Sequence, residues 1–314
     1  MKAGFVSATI SQNRIRIANN GNVKRHYNTE SSARVRSTFV VNVPTLMDRV
    51  VFESVGKIFR HRPALFNWLG RERGGETIAL RNVSFSAGSS EVIVLLGPNG
   101  SGKTTALKLI STMLIPDAGS VHVGGFDARR DAGEVRRQVG IAVATERSFF
   151  PRLSASENLD FFAALDEVPR SERAPRIKDV LRDTGLEEQA DTLVMKFSSG
   201  MYQRLGIARA LVKRPSVLLL DEPTRSLDAA TTAHFWATIR ALARRQTTVL
   251  LATHNFAEAA AVADRLLLLH RGELLADRAV GDGESADALR AFYFRMTGET
   301  DEAMGTIHRA GTAP

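Results

Sequence analysis

The pattern of apolar and polar positions changes character near residue 50. From there VVFESVGKIF and TIALRNVSFSAG alternate with the two-residue period of half-buried strands, separated by the Arg/Gly-rich spacer RHRPALFNWLGRERGGE. EVIVLLG is instead a short unbroken apolar run, as expected of a strand covered on both faces in a parallel sheet. A glycine-rich turn and the helix KTTALKLISTML follow it, stopping before Pro116, and DAGSVHVGGF returns to strand through Gly119. Ser154 to Glu157 read SASE, a capping box opening a helix through NLDFFAAL, with further helical segments expected around ERAPRIKDVLRDTG, EEQADTLV and MYQRLGIARALVK. Alternation then resumes: the strand SVLLLDEP, the helix TTAHFWATIRALARR, the strand TTVLLATH, the helix FAEAAAVAD and the hairpin RLLLLHRGELLA. This succession predicts an α/β fold with a parallel-sheet core, an antiparallel β subdomain ahead of it and a helical subdomain at about residues 150–205. Past residue 282 the pattern weakens, and residues 282–314 read as a short C-terminal extension.

Residues 1–49 read differently. They are Asn/Ser-rich, lack sustained periodicity and are expected to form a disordered basic tail. Charge sharpens that contrast. The chain has 314 residues and a formal net charge of +8, but residues 1–47 carry seven Lys/Arg against the single acid Glu30. Most of the surplus therefore belongs to the tail, which weakens a nucleic-acid reading of the remainder. The absence of cysteine excludes a disulfide scaffold, a thiolate metal site and a cysteine nucleophile, and fits a reducing compartment. No apolar run approaches the roughly 18–20 residues needed to cross a bilayer, and no compact apolar segment of a secretory signal follows Lys2. A membrane, if involved, has to be supplied by another chain.

The chemistry concentrates in three places. GPNGSGKT matches G-x-x-x-x-G-K-[ST] with Gly97, Gly102, Lys103 and Thr104 in register, between a strand and a helix. In such a loop Gly97, Pro98, Asn99, Gly100, Ser101, Gly102 and Thr105 are the expected binding residues, the glycines at 97, 100 and 102 letting successive backbone N–H groups close around the phosphates. Lys103 supplies a positive charge and the Thr104 hydroxyl a ligand for Mg2+. In VLLLDE four apolar residues place Asp221 and Glu222 at the carboxyl end of a buried strand, where open α/β sheets bind ligands. Asp221 is the expected Mg2+ holder and Glu222 the group that orients and polarises the attacking water. Finally, FSSGMYQR opens a helix, so its free N–H groups and positive dipole end make an anion site.

Together these motifs resemble the ATP-binding subunits of ABC transporters over roughly residues 50–280. GPNGSGKTT, FSSGMYQR in place of the signature LSGGQxQR, LLLDEPT, RSLD at the D-loop and ATH at the switch histidine occur in that family's order. The resemblance implies a P-loop NTPase, that is an ABC ATPase domain at residues 50–281 with a RecA-like core, which binds ATP and Mg2+ and hydrolyses ATP. It also implies a head-to-tail homodimer in which Ser198, Ser199 and Gly200 face the ATP of the partner copy and Asp228 lies at the seam. His254 is implied to contact the γ-phosphate, and Phe59, in GKIF, to stack on adenine. An integral-membrane permease is the implied partner, and the implied location is cytoplasmic, peripheral on the inner face of the plasma membrane. Three departures stand out. The family's Q-loop glutamine has no clear counterpart in VGIAVATERSFFPRLS, where Glu146 is the nearest substitute and metal-ligand candidate. Ser199 and Met201 replace glycine and glutamine in the signature, and Ser226 replaces a D-loop glycine. TERSFF and SSGM look like variants of ABC-2 type exporters, which move drugs, polysaccharides or lipid-linked glycans. The alternative is a soluble ABC-type ATPase acting on nucleic acid or ribosomes. The short stretch between Lys103 and Ser198 leaves no room for the coiled coil of chromosome-type members, and ribosome-acting members usually hold two such domains.

Overall fold

The computed structural model describes residues 7–11, 14–18, 49–60, 75–143 and 148–299. The chain divides into two units, residues 1–41 and 42–314. In the first, β1 (Ser7–Ser11) and β2 (Arg14–Ala18) pair antiparallel, with Ser7 opposite Ala18 and Ser11 opposite Arg14. This corrects the expectation of a tail without regular structure at those residues. The RIRIA segment has strand alternation, but over five residues it is too short to register as sustained periodicity.

The second unit is built on a six-stranded sheet, β12-β11-β5-β10-β9-β8. Its parallel part comprises β5 (Val92–Leu96), β8 (Val139–Val143), β9 (Val217–Asp221), β10 (Thr248–Thr253) and β11 (Arg265–His270). The edge strand β12 (Glu273–Ala279) runs antiparallel to β11, as the hairpin signal required. Alternation of side chains across the sheet divides the core in two. Val92, Val94 and Leu96 face one layer together with Leu218, Leu220, Val249 and Leu251. Ile93 and Leu95 face the other, with Val217, Leu219 and Leu250. Burial on both faces explains the unbroken apolar runs of these strands.

One layer is the antiparallel sheet β4-β3-β6-β7, formed by β3 (Val50–Arg60), β4 (Glu76–Ala87), β6 (Ala118–Val123) and β7 (Phe126–Asp127), together with α1 (Lys103–Ile110). Phe52 and Phe85 stack within it, with centroids 4.6 Å apart. The other layer is helical: α3 (Ala155–Leu165), α4 (Arg170–Asp183), α5 (Ser199–Val212), α6 (Ala229–Arg244), α7 (Phe256–Val262) and α8 (Ala286–Thr297). A short helix α2 (Ala132–Gln138) precedes β8.

The SASE capping box forms as read. Ser154 Oγ accepts from Glu157 N, and Glu157 Oε2 accepts from Ser154 N. The segment EEQADTLV departs from expectation. It does not form a helix; single 3-10 turns occupy Glu187–Gln189 and Val194–Lys196. The reason is competition for backbone groups: Ala155 N and Ser156 N donate to Thr192 O and Ala190 O, while Val194 N donates to Leu153 O. In the C-terminal stretch, α8 starts at the Ser285 cap, ends at Gly298 with φ +69° and buries Leu289 and Tyr293 in the helical layer.

Candidate functional site

The glycine-rich turn joins β5 to α1 at the carboxyl end of the parallel strands. Gly102 caps α1 at φ +108°, a conformation that disfavours any side chain, and a Cβ there would stand 2.5 Å from Ala79 O of β4. At Gly97 a Cβ would overlap the Leu269 carbonyl of β11. The loop is thus pressed against its neighbours, and its interior surrounds Lys103. Lys103 Nζ donates to Gly97 O at 2.7 Å and Pro98 O at 3.0 Å. Burial lowers the lysine's pKa, opposed by the charges of Glu222 and Asp221.

Thr104 Oγ1 donates to Asp221 Oδ2 at 2.8 Å, closing the loop onto the end of β9. Asp221 is 7% exposed, its Oδ1 has no hydrogen-bond partner, and burial raises its pKa. The Ser101 hydroxyl is likewise buried without a partner. Unpaired oxygens of this kind fit a bound cation and phosphate, because a buried polar atom left alone costs about 1–3 kcal/mol. Among the described residues no cluster of three or more His, Cys, Asp or Glu forms a metal cage. A magnesium ion here would rest on Thr104 and Asp221 with the substrate's phosphates, the usual mode for that ion.

Glu222 adopts φ +50°, unusual for a residue with a side chain, at the turn leaving β9. Three contacts hold it there. Its N–H donates to Ala252 O of β10 at 2.9 Å, its carbonyl accepts from Gln203 Nε2 at 2.9 Å, and its Oε1 lies 2.8 Å from His254 Nδ1. β9 and β10 are adjacent parallel strands, so they deliver Glu222 and His254 side by side.

A cleft of about 460 Å3 opens beside these groups, and Gly97, Pro98, Ser101 and His254 are not among its lining residues. Phe59, Asn99, Gly100, Gly102, Lys103, Thr104 and Thr105 line it on the loop side, Asp221 and Glu222 on the strand side. Phe59 therefore shares the cleft with the glycine-rich loop. Ser198, Ser199, Gly200 and Asp228 are not among its lining residues. Ser198 Oγ caps α5 by accepting from Met201 N at 3.2 Å. Asp228 caps α6 by accepting from Thr231 N at 2.8 Å, a bond that lowers its pKa. Gly200 packs against the D-loop, where a Cβ would lie 3.0 Å from Ser226 O. Glu146 lies outside the described residues. A larger recess, about 570 Å3, lies between α3 and α4, lined by Ala174, Ile177, Leu181 and Ala190 together with Ser156, Glu157, Asp160, Lys178 and Glu187.

Two residues of the site were missed by sequence reasoning. Gln203 bridges Glu222 and the D-loop, since its Oε1 accepts from Ser226 N at 3.2 Å. It stands within FSSGMYQR, so its position was visible but not its bridging role. Arg225, within the EPTRSLD stretch, lines the cleft beside Glu222.

Comparison with known proteins agrees with this geometry. Residues 80–225 match the family model described as ABC transporter. The chain is 37% identical over 197 residues to the ABC transporter ATP-binding protein NatA of Bacillus subtilis (strain 168), covering 63% of this chain and 80% of that protein. It is 34% identical over 220 residues to the daunorubicin resistance ATP-binding protein DrrA3 of Streptomyces coeruleorubidus, covering 70% and 67%. Among solved structures, a dimeric ATP-binding cassette in a post-hydrolysis state with ADP and Pi superposes with TM-score 0.64 at 26% identity, over 74% of this chain and 99% of that one. With its glycine-rich loop closed onto Asp221 and Glu222 paired with His254, the chain belongs to the ATP-binding ATPase subunits of ABC transporters.

Proposed function

We propose that this chain hydrolyses ATP as a head-to-tail pair of copies and so drives export of a drug-like or glycan cargo through a separate integral-membrane permease. The observation that carries the reading is the convergence on one cleft of Thr104, Asp221 and Glu222, with Thr104 bonded to Asp221 at 2.8 Å and Glu222 held by His254 at 2.8 Å. Lys103 would exchange its bonds to Gly97 O and Pro98 O for the β- and γ-phosphate oxygens of ATP, and Ser101 Oγ would donate into the same cradle. Thr104 and Asp221 would hold Mg2+, which when bound neutralises charge on the phosphates. Phe59 would pack on the base. Glu222 would accept a proton from the water that attacks the γ-phosphorus, while the bond to the bridging oxygen breaks and ADP leaves with orthophosphate. His254 would keep the Glu222 carboxylate aimed at that water and contact the γ-phosphate.

In this reading Ser198, Ser199, Gly200 and Asp228 complete the cleft of the other copy, which accords with their place outside the cleft of their own chain. Residues 50–281 form the ATPase domain, with a helical subdomain at about 150–205, and the segment around 145–160 passes movement to the permease. Among the described residues no helix is long and apolar enough to cross a membrane, so the chain would sit at the inner membrane face through its partner. The drug-resistance name of one relative supports export, and the dimeric cassette supports pairing.

The test is Glu222→Gln. With ATP and Mg2+ it is expected to stop turnover, retain unhydrolysed ATP and elute as a dimer in size-exclusion chromatography. Elution as a monomer with ATP bound would overturn the pairing.

A further inference from the structure

Glu258 is a buried acid that none of the chemistry above uses. α7 starts at the Asn255 cap, whose Oδ1 accepts from Ala257 N and Glu258 N. A glutamate at this third helical position ordinarily reaches back to the backbone N–H of the cap residue. Here that donor is already committed: Asn255 N donates to Thr253 Oγ1 at 3.0 Å. Glu258 turns inward instead and is 0% exposed.

Inside, its carboxyl faces the side chains of Thr253, Thr224 and Trp236, and the charge of Glu222 acts on it. Neither oxygen meets a partner at full hydrogen-bond geometry, and the Trp236 Nε1–H is unpaired as well. Burial and Glu222 both raise the Glu258 pKa, opposed by the two threonines and the indole. An isolated buried carboxyl is costly, and its surroundings give the cost a specific purpose. Thr224 follows Glu222 by two residues, on the turn that holds the catalytic carboxylate at φ +50°. Thr253 immediately precedes His254 at the end of β10. The carboxyl therefore stands between the two segments whose tips make the 2.8 Å Glu222–His254 contact.

We propose that Glu258 is a positioning residue for ATP hydrolysis, its carboxyl tying the Thr224 turn to the Thr253 strand end and so setting the contact between Glu222 and His254. The inference rests on the reading of Glu222 and His254 as the hydrolytic pair. Glu258→Gln keeps the shape, one donor and one acceptor, whereas Glu258→Met keeps volume but removes both polar ends.

The experiment compares these two variants with wild type and Glu222→Gln in steady-state ATPase kinetics, fluorescent-nucleotide binding and thermal melts. Because misplacement of a catalytic pair by about 1 Å can cost about 100-fold, Glu258→Met is expected to lose about that factor in kcat. Its KM and nucleotide affinity should stay within about twofold of wild type, and Glu258→Gln should retain most of the turnover. A folded Glu258→Met variant with wild-type kcat would overturn the proposal. So would an equal loss in both Glu258 variants, or a loss shared by kcat and nucleotide binding. Should Glu258→Met lose its cooperative melt, Thr224→Val removes a facing hydroxyl from the other side and carries the same expectation. Glu222→Gln separates the two levels: if it turns over ATP, the hydrolytic pair itself is misread. If it is inactive while Glu258→Met is not, the positioning role alone falls.

Discussion

Replacing Gly102 by alanine isolates the physical demand that the glycine-rich loop makes. At φ +108° an L-residue pays conformational strain of about 1–3 kcal/mol. The added Cβ would also stand 2.5 Å from Ala79 O and 2.6 Å from Leu80 Cδ2. The carbonyl belongs to a paired strand and cannot retreat freely, so overpacking adds about 1–3 kcal/mol. Together these give about 2–6 kcal/mol, a large part of a typical domain's total stability of about 5–15 kcal/mol. Gly100→Ala is the matched control. Gly100 has φ +80°, but its Cβ would meet nothing within 4 Å, leaving a conformational cost of about 1–2 kcal/mol. The assay is a thermal melt of both variants without nucleotide, so that contacts to phosphate do not enter. At roughly 2–4 °C per kcal/mol for a chain of this size, Gly102→Ala should melt clearly below Gly100→Ala. Equal melting temperatures would refute the view that the loop is pressed against β4.

Two further predictions concern the supports of Glu222. Gln203→Leu strips partners from Glu222 O and Ser226 N, at about 1–3 kcal/mol each if they stay buried. The expected signature is a fall in kcat larger than the fall in fluorescent-nucleotide affinity, read from steady-state kinetics and titration. The raised pKa of Glu258 has a definite sign for stability. The folded state holds that proton more tightly than the unfolded state, whose carboxyl titrates near the ordinary 4.5, so stability falls as pH rises from there through the raised value. Urea midpoints across pH should show wild type losing stability relative to Glu258→Gln as pH increases above that point.

The Glu222 turn illustrates why such supports matter. A residue at φ +50° persists only when its surroundings over-determine it, and here Ala252 of β10, Gln203 of α5 and His254 each contribute a contact. Gln203 also couples the helix that begins at Ser198 to the segment at Ser226, so movement of either segment is felt at the carbonyl of Glu222.

The placement of the candidate site's loop and strand-end acids was legible in the chain because each is a local pattern. Gly97 to Thr105 form one continuous loop and helix start, and the apolar run before Asp221 and Glu222 announces a buried strand ending at the ligand side. The Ser154 capping box was equally legible, since its two hydrogen bonds lie within four residues. Segments whose structure depends on distant partners were not. EEQADTLV has helical residues but exchanges backbone bonds with Leu153 and the first turn of α3, and α8 is amphipathic in a way that matters only once Leu289 and Tyr293 pack into the helical layer. Likewise RIRIA reads as too short for a strand until β1 pairs with it.

The sequence by itself determined the glycine-rich loop and the acidic strand end of the candidate site, because spacing within a loop and a strand end sets that geometry over a few bonds. Tertiary structure alone decided that β9 and β10 lie adjacent, bringing Glu222 against His254, and that Phe59 from the antiparallel sheet shares the cleft that Glu222 lines. It also decided the inward turn of Glu258, since a carboxyl's direction follows from which neighbouring donors are already taken. Adjacency of that kind is fixed by the packing of layers and not by distance along the chain, so no local pattern encodes it.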